Sequence, residues 1–430
     1  MSSEQVLKYW QYRNTIKFLL VLVGLWPSKN PSQVPRLLSY ISLFLSAYTS
    51  FGIAGYARLN FTNIHLVTKS LSIMGSFLAV VLKLMSIMIH REDVNVLHKY
   101  LDPHFNKLLN DPLTSSLVLN GLRIRRNLAL TLTLLLLFVC FTYPVTCFIS
   151  IAQQYFHRIH SVTFSLPYPT VYPWSINPTK FYIMIQSLIE TAATVPLFCV
   201  SAGVDSLFTL YGFQMIGQLR EMSYRMTHID KITDDGTIVR ECVLQHFTIM
   251  RCRDILQKIY GPPILWVMTT NAIVLCNVIF QFSQMTVISI SRMTWISAYV
   301  ALKIIQTFMY AWTGTCLTTE MKNKQLILSG SEYYSFLLLP TSNTSRNSFS
   351  HILSIFQYQV SNISDETDTF GILIPVPIFA IEIDAYRFER ALISSNERSL
   401  EVNFFGQQTD AFPGYIVAIS ASENASETIT

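Results

Sequence analysis

Six stretches of the chain are apolar for about twenty residues or more, the length a helix needs to cross the hydrocarbon of a bilayer. They are Leu37–Tyr56, Leu66–Ile89, Leu128–Ala152, Phe181–Gly203, Ile259–Phe282 and Met293–Thr319. The first and fifth carry no charge. The second carries Lys69 and Lys83, the fourth Glu190 and the sixth Lys303. Each is expected to be helical, because an open strand at that depth would leave backbone groups unpaired. The pattern therefore predicts an all-α, polytopic helical membrane protein.

Two further stretches change character along their length. Phe18–Trp26 is apolar but too short to span. Trp26-Pro27 stands where a signal peptide would need small residues, so the segment is expected to be an interfacial or re-entrant helix closed by Gly24 and Pro27. Between spans four and five, Ser206–Ile229 interleaves apolar residues with Gln218, Arg220 and Arg225. Val239, Val243, Phe247, Met250 and Leu256 then recur at helical spacing. Spans four and five are expected to continue below the bilayer as a helical hairpin turning at Asp234-Asp235-Gly236.

Composition supports the membrane reading. Of 430 residues, 51% are hydrophobic and 13% charged, about half the charge of an ordinary soluble domain. The seven cysteines form no CxxC pair, so neither a disulfide framework nor a zinc site is indicated.

Charge sets the orientation. Lys8, Arg13, Lys17, Lys29 and Arg36 precede span one. Arg91, Lys99, Lys107, Arg123, Arg125 and Arg126 lie between spans two and three. Arg220, Arg225, Lys231, Arg240, Arg251, Arg253 and Lys258 lie between four and five. The alternate loops hold only Arg58, then Arg158 and Lys180, then Arg292. Basic residues collect on the cytosolic side, so the N-terminus is expected inside, the reverse of a G-protein-coupled receptor. Asn60-Phe61-Thr62 then falls outside as a candidate glycosylation acceptor.

Catalytic signatures are missing from the sequence: it contains no P-loop, HExxH or GxSxG. His157 and His160 have no cysteine or acid beside them to complete a metal site. No basic stripe with interleaved aromatics lies outside the cytosolic loops, so nucleic-acid binding is not indicated. Catalytic, cofactor and metal residues are accordingly not expected.

Several short motifs, in order and in the inverted topology, resemble the insect odorant receptor family over about residues 1–320. They are Gly24-Leu25-Trp26-Pro27 before span one, Leu166-Pro167-Tyr168 with Tyr172-Pro173-Trp174 and Pro178 in the second outer loop, Asp205-Ser206-Leu207-Phe208 after span four, and Gln306-Thr307-Phe308-Met309-Tyr310 with Gly314 in span six. The resemblance implies seven membrane helices and assembly with a shared odorant co-receptor into a four-subunit cation channel opened by volatile ligands. It implies a ligand pocket in the outer half of the helices, among spans two, three, four and six, and a pore lined by span seven. It also implies a place in the plasma membrane, on the dendrite of an olfactory sensory neuron.

A small volatile hydrophobic ligand calls for an apolar site with a few hydrogen-bonding groups. Tyr143 and Phe148 in span three, Tyr182, Met184 and Gln186 in span four, and Met74 and Phe77 in span two are the candidate contacts. Ionisable groups inside a membrane helix are costly and usually partnered. Glu190 and Lys303 have opposite sign and matched depth, some 12–14 Å from the outer ends of their spans at about 1.5 Å per residue. They are expected to pair beside the ligand. The alternative is a snorkelling lysine and a protonated glutamic acid. Lys83, near the inner end of span two, is expected to snorkel.

After Thr319 the sequence departs from the family. Leu326–Leu339 is interrupted by Ser329-Gly330-Ser331-Glu332, and Phe370–Ile383 contains Pro375 and Pro377. Residues 341–430 carry four arginines, no lysine and 11 acids. The chain is thus expected to divide into a receptor-like part, 1–320, and an atypical, poorly ordered segment, 321–430, without the family's last span. An altered C-terminal exon or an imperfect gene model would produce this. The expected function is the odorant-binding subunit of a ligand-gated cation channel. The alternatives are a secondary transporter, or a receptor isoform without its pore-lining helix.

Overall fold

The structure is a computed structural model and describes residues 2–27, 33–156, 166–173, 180–228, 235–283 and 290–330. Expectations for His157, His160, Trp174, Pro178, Asp234 and residues 331–430 lie outside it. The described residues form nine helices: α1 Ser2–Leu22, α2 Gln33–Leu59, α3 Ile64–Ile89, α4 Arg91–Asn110, α5 Pro112–Val118, α6 Leu122–Phe156, α7 Lys180–Thr227, α8 Asp235–Ser283 and α9 Ile290–Gly330.

Five of them, α2, α3, α6, α7 and α8, are long and apolar enough to cross a membrane. The sixth expected span lies in α9, which is long enough but is not apolar enough to join them. Its Lys303 and Gln306 dilute the apolar run, and both are buried inside the bundle, as described below. The boundary expected at residues 320/321 falls inside this helix.

The longest helices run well beyond the expected fourth and fifth spans. α7 has 48 residues and α8 has 49. At about 1.5 Å per residue each is roughly 70 Å long, more than twice the hydrocarbon thickness of about 30 Å. α7 is the central helix and packs on α1, α2, α3, α4, α5, α6, α8 and α9. From Cys199 to Leu219 its side chains are buried on every face, as expected for a helix surrounded by others.

The N-terminal segment is more than the short interfacial piece expected. α1 begins at Ser2, and its face Tyr9, Tyr12, Ile16, Leu19, Leu20 and Val23 is buried, largely against α7. Its polar first turns escaped an apolar-run reading because only one side in two or three is apolar. Gly24 ends it with φ 72°. The Leu25 N–H donates to the Leu20 carbonyl (2.8 Å) and the Gly24 N–H to that of Val21 (3.1 Å), the paired bonds of a Schellman cap. A Cβ on Gly24 would lie 2.0 Å from the Pro35 carbonyl oxygen.

A polar cluster ties α1, α4 and α7 together. Asp102 on α4 accepts from Arg13 Nε (3.1 Å) and Nη2 (2.6 Å) and from Gln214 Nε2 (3.2 Å). Gln214 also donates to the Tyr9 hydroxyl (2.9 Å). The Arg13 guanidinium faces the rings of Trp10 and Trp26, each at 5.4 Å. The Gly-Leu-Trp-Pro motif therefore stops α1 and supplies one wall for this arginine.

Candidate functional site

A cavity of about 90 Å³ opens among α3, α6, α7, α8 and α9. Helical periodicity supplies its walls. Ser72, Ile73, Ser76, Ala79 and Lys83 come from one face of α3, Leu136, Val139, Cys140 and Tyr143 from α6, and Trp295, Ile296, Tyr299, Leu302, Lys303 and Gln306 from α9. In each set the positions recur every three or four residues, some with an adjacent neighbour, so the side chains stand on one broad face. The lining is mainly apolar and aromatic. Tyr143 lies edge-on to Trp295 (5.7 Å between centroids), and Trp295 stacks on Tyr299 (5.5 Å).

The outer loop closes over this space. Tyr168 lines the cavity, tilted on Tyr143 at 5.3 Å and edge-on to Phe77 at 5.1 Å. Glu190 holds the loop. It accepts from the Tyr168 backbone N–H (3.2 Å), the Thr170 hydroxyl (2.5 Å) and Gln186 Nε2 (3.1 Å). The Tyr168 hydroxyl lies 2.9 Å from that of Thr194. On the far side, the Val171 N–H donates to the Gly52 carbonyl (2.9 Å), and Tyr172 stacks on Tyr48 at 4.7 Å. Glycines make this approach possible: a Cβ on Gly52 would lie 2.4 Å from the Tyr172 ring, and one on Gly55 2.3 Å from the Val171 carbonyl oxygen.

The inner end of the cavity is charged. Lys83 and Asp205 form an ion pair, and both side chains are 1% exposed. Asp205 also accepts from Gln306 Nε2 (2.6 Å) and the Tyr310 hydroxyl (2.5 Å). The Asn271 amide bonds the Thr307 hydroxyl at 3.0 Å. Lys303, 8% exposed, lines the cavity with its ammonium 5.5 Å from the centre of the Tyr299 ring.

Two expectations about charge need correction. Glu190 and Lys303 do not pair. The carboxylate is taken up by the outer loop and Gln186, while Lys303 faces the cavity. Equal depth in the membrane does not fix rotation about each helix axis, and here the two groups face different neighbours. Lys83 does not snorkel either; its partner is the buried Asp205. The aspartate was legible in the Asp-Ser-Leu-Phe motif, but assigning it to the cytosolic end of span four hid its contact with span two.

The candidate contacts are spread over three environments. Tyr143 lines the cavity, and Phe77 stands behind Tyr168, fully buried. Met74 packs half-buried against the core. Gln186 is buried under the loop, accepting from the Tyr48 hydroxyl (2.9 Å), and Tyr182 is half-buried one turn before it; neither lines the cavity. Phe148 and Met184 point out of the bundle, 48% and 41% exposed. Both lie on apolar helices with no one-sided pattern, so the sequence could not tell a lipid face from a cavity face. Trp295, Tyr299 and Tyr168 were missed, though the spacing 295, 299, 302, 303, 306 was there to read. Asn60 directly follows α2, its side chain donating to the Tyr56 carbonyl (2.9 Å).

A bundle of this form, with long apolar helices around a closed-over cavity, defines an all-helical polytopic membrane protein whose interior can take a small molecule. The sequence model described as "7tm Odorant receptor" matches residues 63–323. The chain belongs to that family. Among solved structures it is similar to the insect olfactory receptor OR5 from Machilis hrabei, alone (16% identity, TM-score 0.58) and in complex with eugenol (17%, 0.58). The match covers 86% of this chain and 99% of the other in both cases. At these identities the likeness is one of fold. A comparison with curated proteins found no match.

Proposed function

We propose that this chain is the odorant-binding subunit of a ligand-gated cation channel, formed with a co-receptor in the plasma membrane of olfactory sensory neuron dendrites. One observation carries the reading: within a family fold, an aromatic cavity in the outer part of the bundle is roofed by the Tyr168 loop and separated from the cytosolic layer by the Lys83–Asp205 cluster. Such a space suits a small apolar molecule with one or two hydrogen-bonding groups. The relative solved with eugenol supports the idea that this fold accommodates volatile aromatics.

The reading of residues 321–430 as lacking the last span qualifies the channel role. The chain would then bring a ligand site but no pore helix of its own, as in a receptor isoform cut short of its pore. Two measurements separate these parts. Ligand-induced thermal stabilisation of the purified full chain, over a panel of volatiles, tests the binding role, and Tyr143→Ala should abolish it. No stabilisation by any volatile would overturn the receptor reading. Inward current on co-expression with the co-receptor tests the tail. Current should be weak or absent, and robust odorant-evoked current would show that residues 321–430 do complete a pore.

A further inference from the structure

The charges at the inner end of the cavity do not balance. Lys83 and Lys303 both line it, and Asp205 is the acid beside them. Asp205 carries one negative charge, which Lys83 already offsets, and it also accepts from Gln306 and Tyr310. Glu190 is occupied beneath the outer loop. Among the described residues no carboxylate lies within 4 Å of the Lys303 ammonium, which sits over the face of Tyr299. A lysine more than nine-tenths buried, with its ammonium beside an apolar cavity and no carboxylate paired to it, is held there at a cost. A bound anion would remove that cost, and a neutral ligand would not.

Resting on the reading of this cavity as the ligand site, we propose that it selects small monocarboxylic acids, with the carboxylate on Lys303 and the tail among Tyr143, Trp295 and Tyr299. Lys303 has three donors and no acceptor, so the head group must accept. A carboxylate accepts through both oxygens and matches the charge, making the stronger, charge-assisted bond. The size also fits. A cavity of about 90 Å³ is room for some six to nine waters at roughly 10–15 Å³ of such space each, which suits a molecule of about eight to ten non-hydrogen atoms. Of the three lysines that line the cavity, Lys83 is neutralised by Asp205 and Lys69 is exposed to solvent, which leaves Lys303 as the buried cation for the carboxylate.

The test uses the full-length chain in lipid nanodiscs and three probes of one chain length: hexanoic acid, 1-hexanol and methyl hexanoate. Hexanoate should bind wild type about tenfold or more tightly than the alcohol, the scale of one charge-assisted bond. Lys303→Met should weaken hexanoate by a similar factor and leave 1-hexanol within roughly threefold, while Lys303→Arg should keep the acid preference. A wild-type preference for the alcohol or ester, or an acid preference that survives Lys303→Met, overturns the carboxylate assignment and leaves the cavity reading standing. Failure of all three probes to bind overturns both. The wild-type ranking and the Lys303→Arg protein decide the matter even if Lys303→Met does not fold.

Discussion

Replacing Asp205 with leucine should strand a positive charge in the middle of the bundle. The Lys83 ammonium would lose its partner while remaining 1% exposed, and Gln306 and Tyr310 would each lose an acceptor. Breaking a buried pair by removing one partner costs about 3–5 kcal/mol, and each orphaned neutral donor adds about 1–3 kcal/mol. Lys83→Met should be milder. Asp205 would keep the Gln306 and Tyr310 donors, and Lys303 stands three residues before Gln306 on the same face of α9. In the double variant the charge is gone and only the two neutral donors are unmet. The double should therefore be more stable than Asp205→Leu alone, with a coupling energy of about 3 kcal/mol. Reversible unfolding of the full chain in mixed micelles measures all four corners of the cycle. Asp205→Leu within about 1 kcal/mol of wild type, or a double no more stable than that single, would refute the assignment of a structural ion pair.

Gly55→Ala should push the outer loop off the bundle, because its Cβ meets the Val171 backbone at 2.3 Å. A loss of about 1–3 kcal/mol in stability is expected together with weaker ligand binding, whereas Gly314→Ala, with nothing near its Cβ, should change neither for the worse. Burial holds His98 and His104 on α4 below the ordinary 6.5, opposed by Asp102 at the first and Glu221 at the second. The unfolded chain therefore binds protons first, so stability is full above pH 6.5 and declines below it toward the lowered values. Unfolding curves between pH 7.5 and 5 should show this slope flattened in the double His98→Asn, His104→Asn protein, and an unchanged slope would count against it. Epitope tags at the N-terminus and beside Asn60 should stain on opposite faces of the membrane, and staining on one face would sink the topology.

Length and apolarity made five of the six expected spans legible, because a helix crossing hydrocarbon must be long and mostly apolar. The extension of α7 and α8 beyond their spans was legible for a related reason. α8 keeps helical spacing below the bilayer, where a polar solvent makes its buried face visible. Inside the membrane that contrast disappears. A side chain facing lipid and one facing a cavity are both apolar, so Phe148 and Met184 could not be told from Tyr143 by sequence. Rotation about each helix axis, set by packing around α7, decided that Glu190 holds the Tyr168 loop while Lys303 faces the cavity. It also decided that Asp205, 122 residues from Lys83, becomes its partner. Hydropathy finds which segments lie in the membrane, but the pairing of buried charges depends on which faces meet, and only the assembled bundle fixes that.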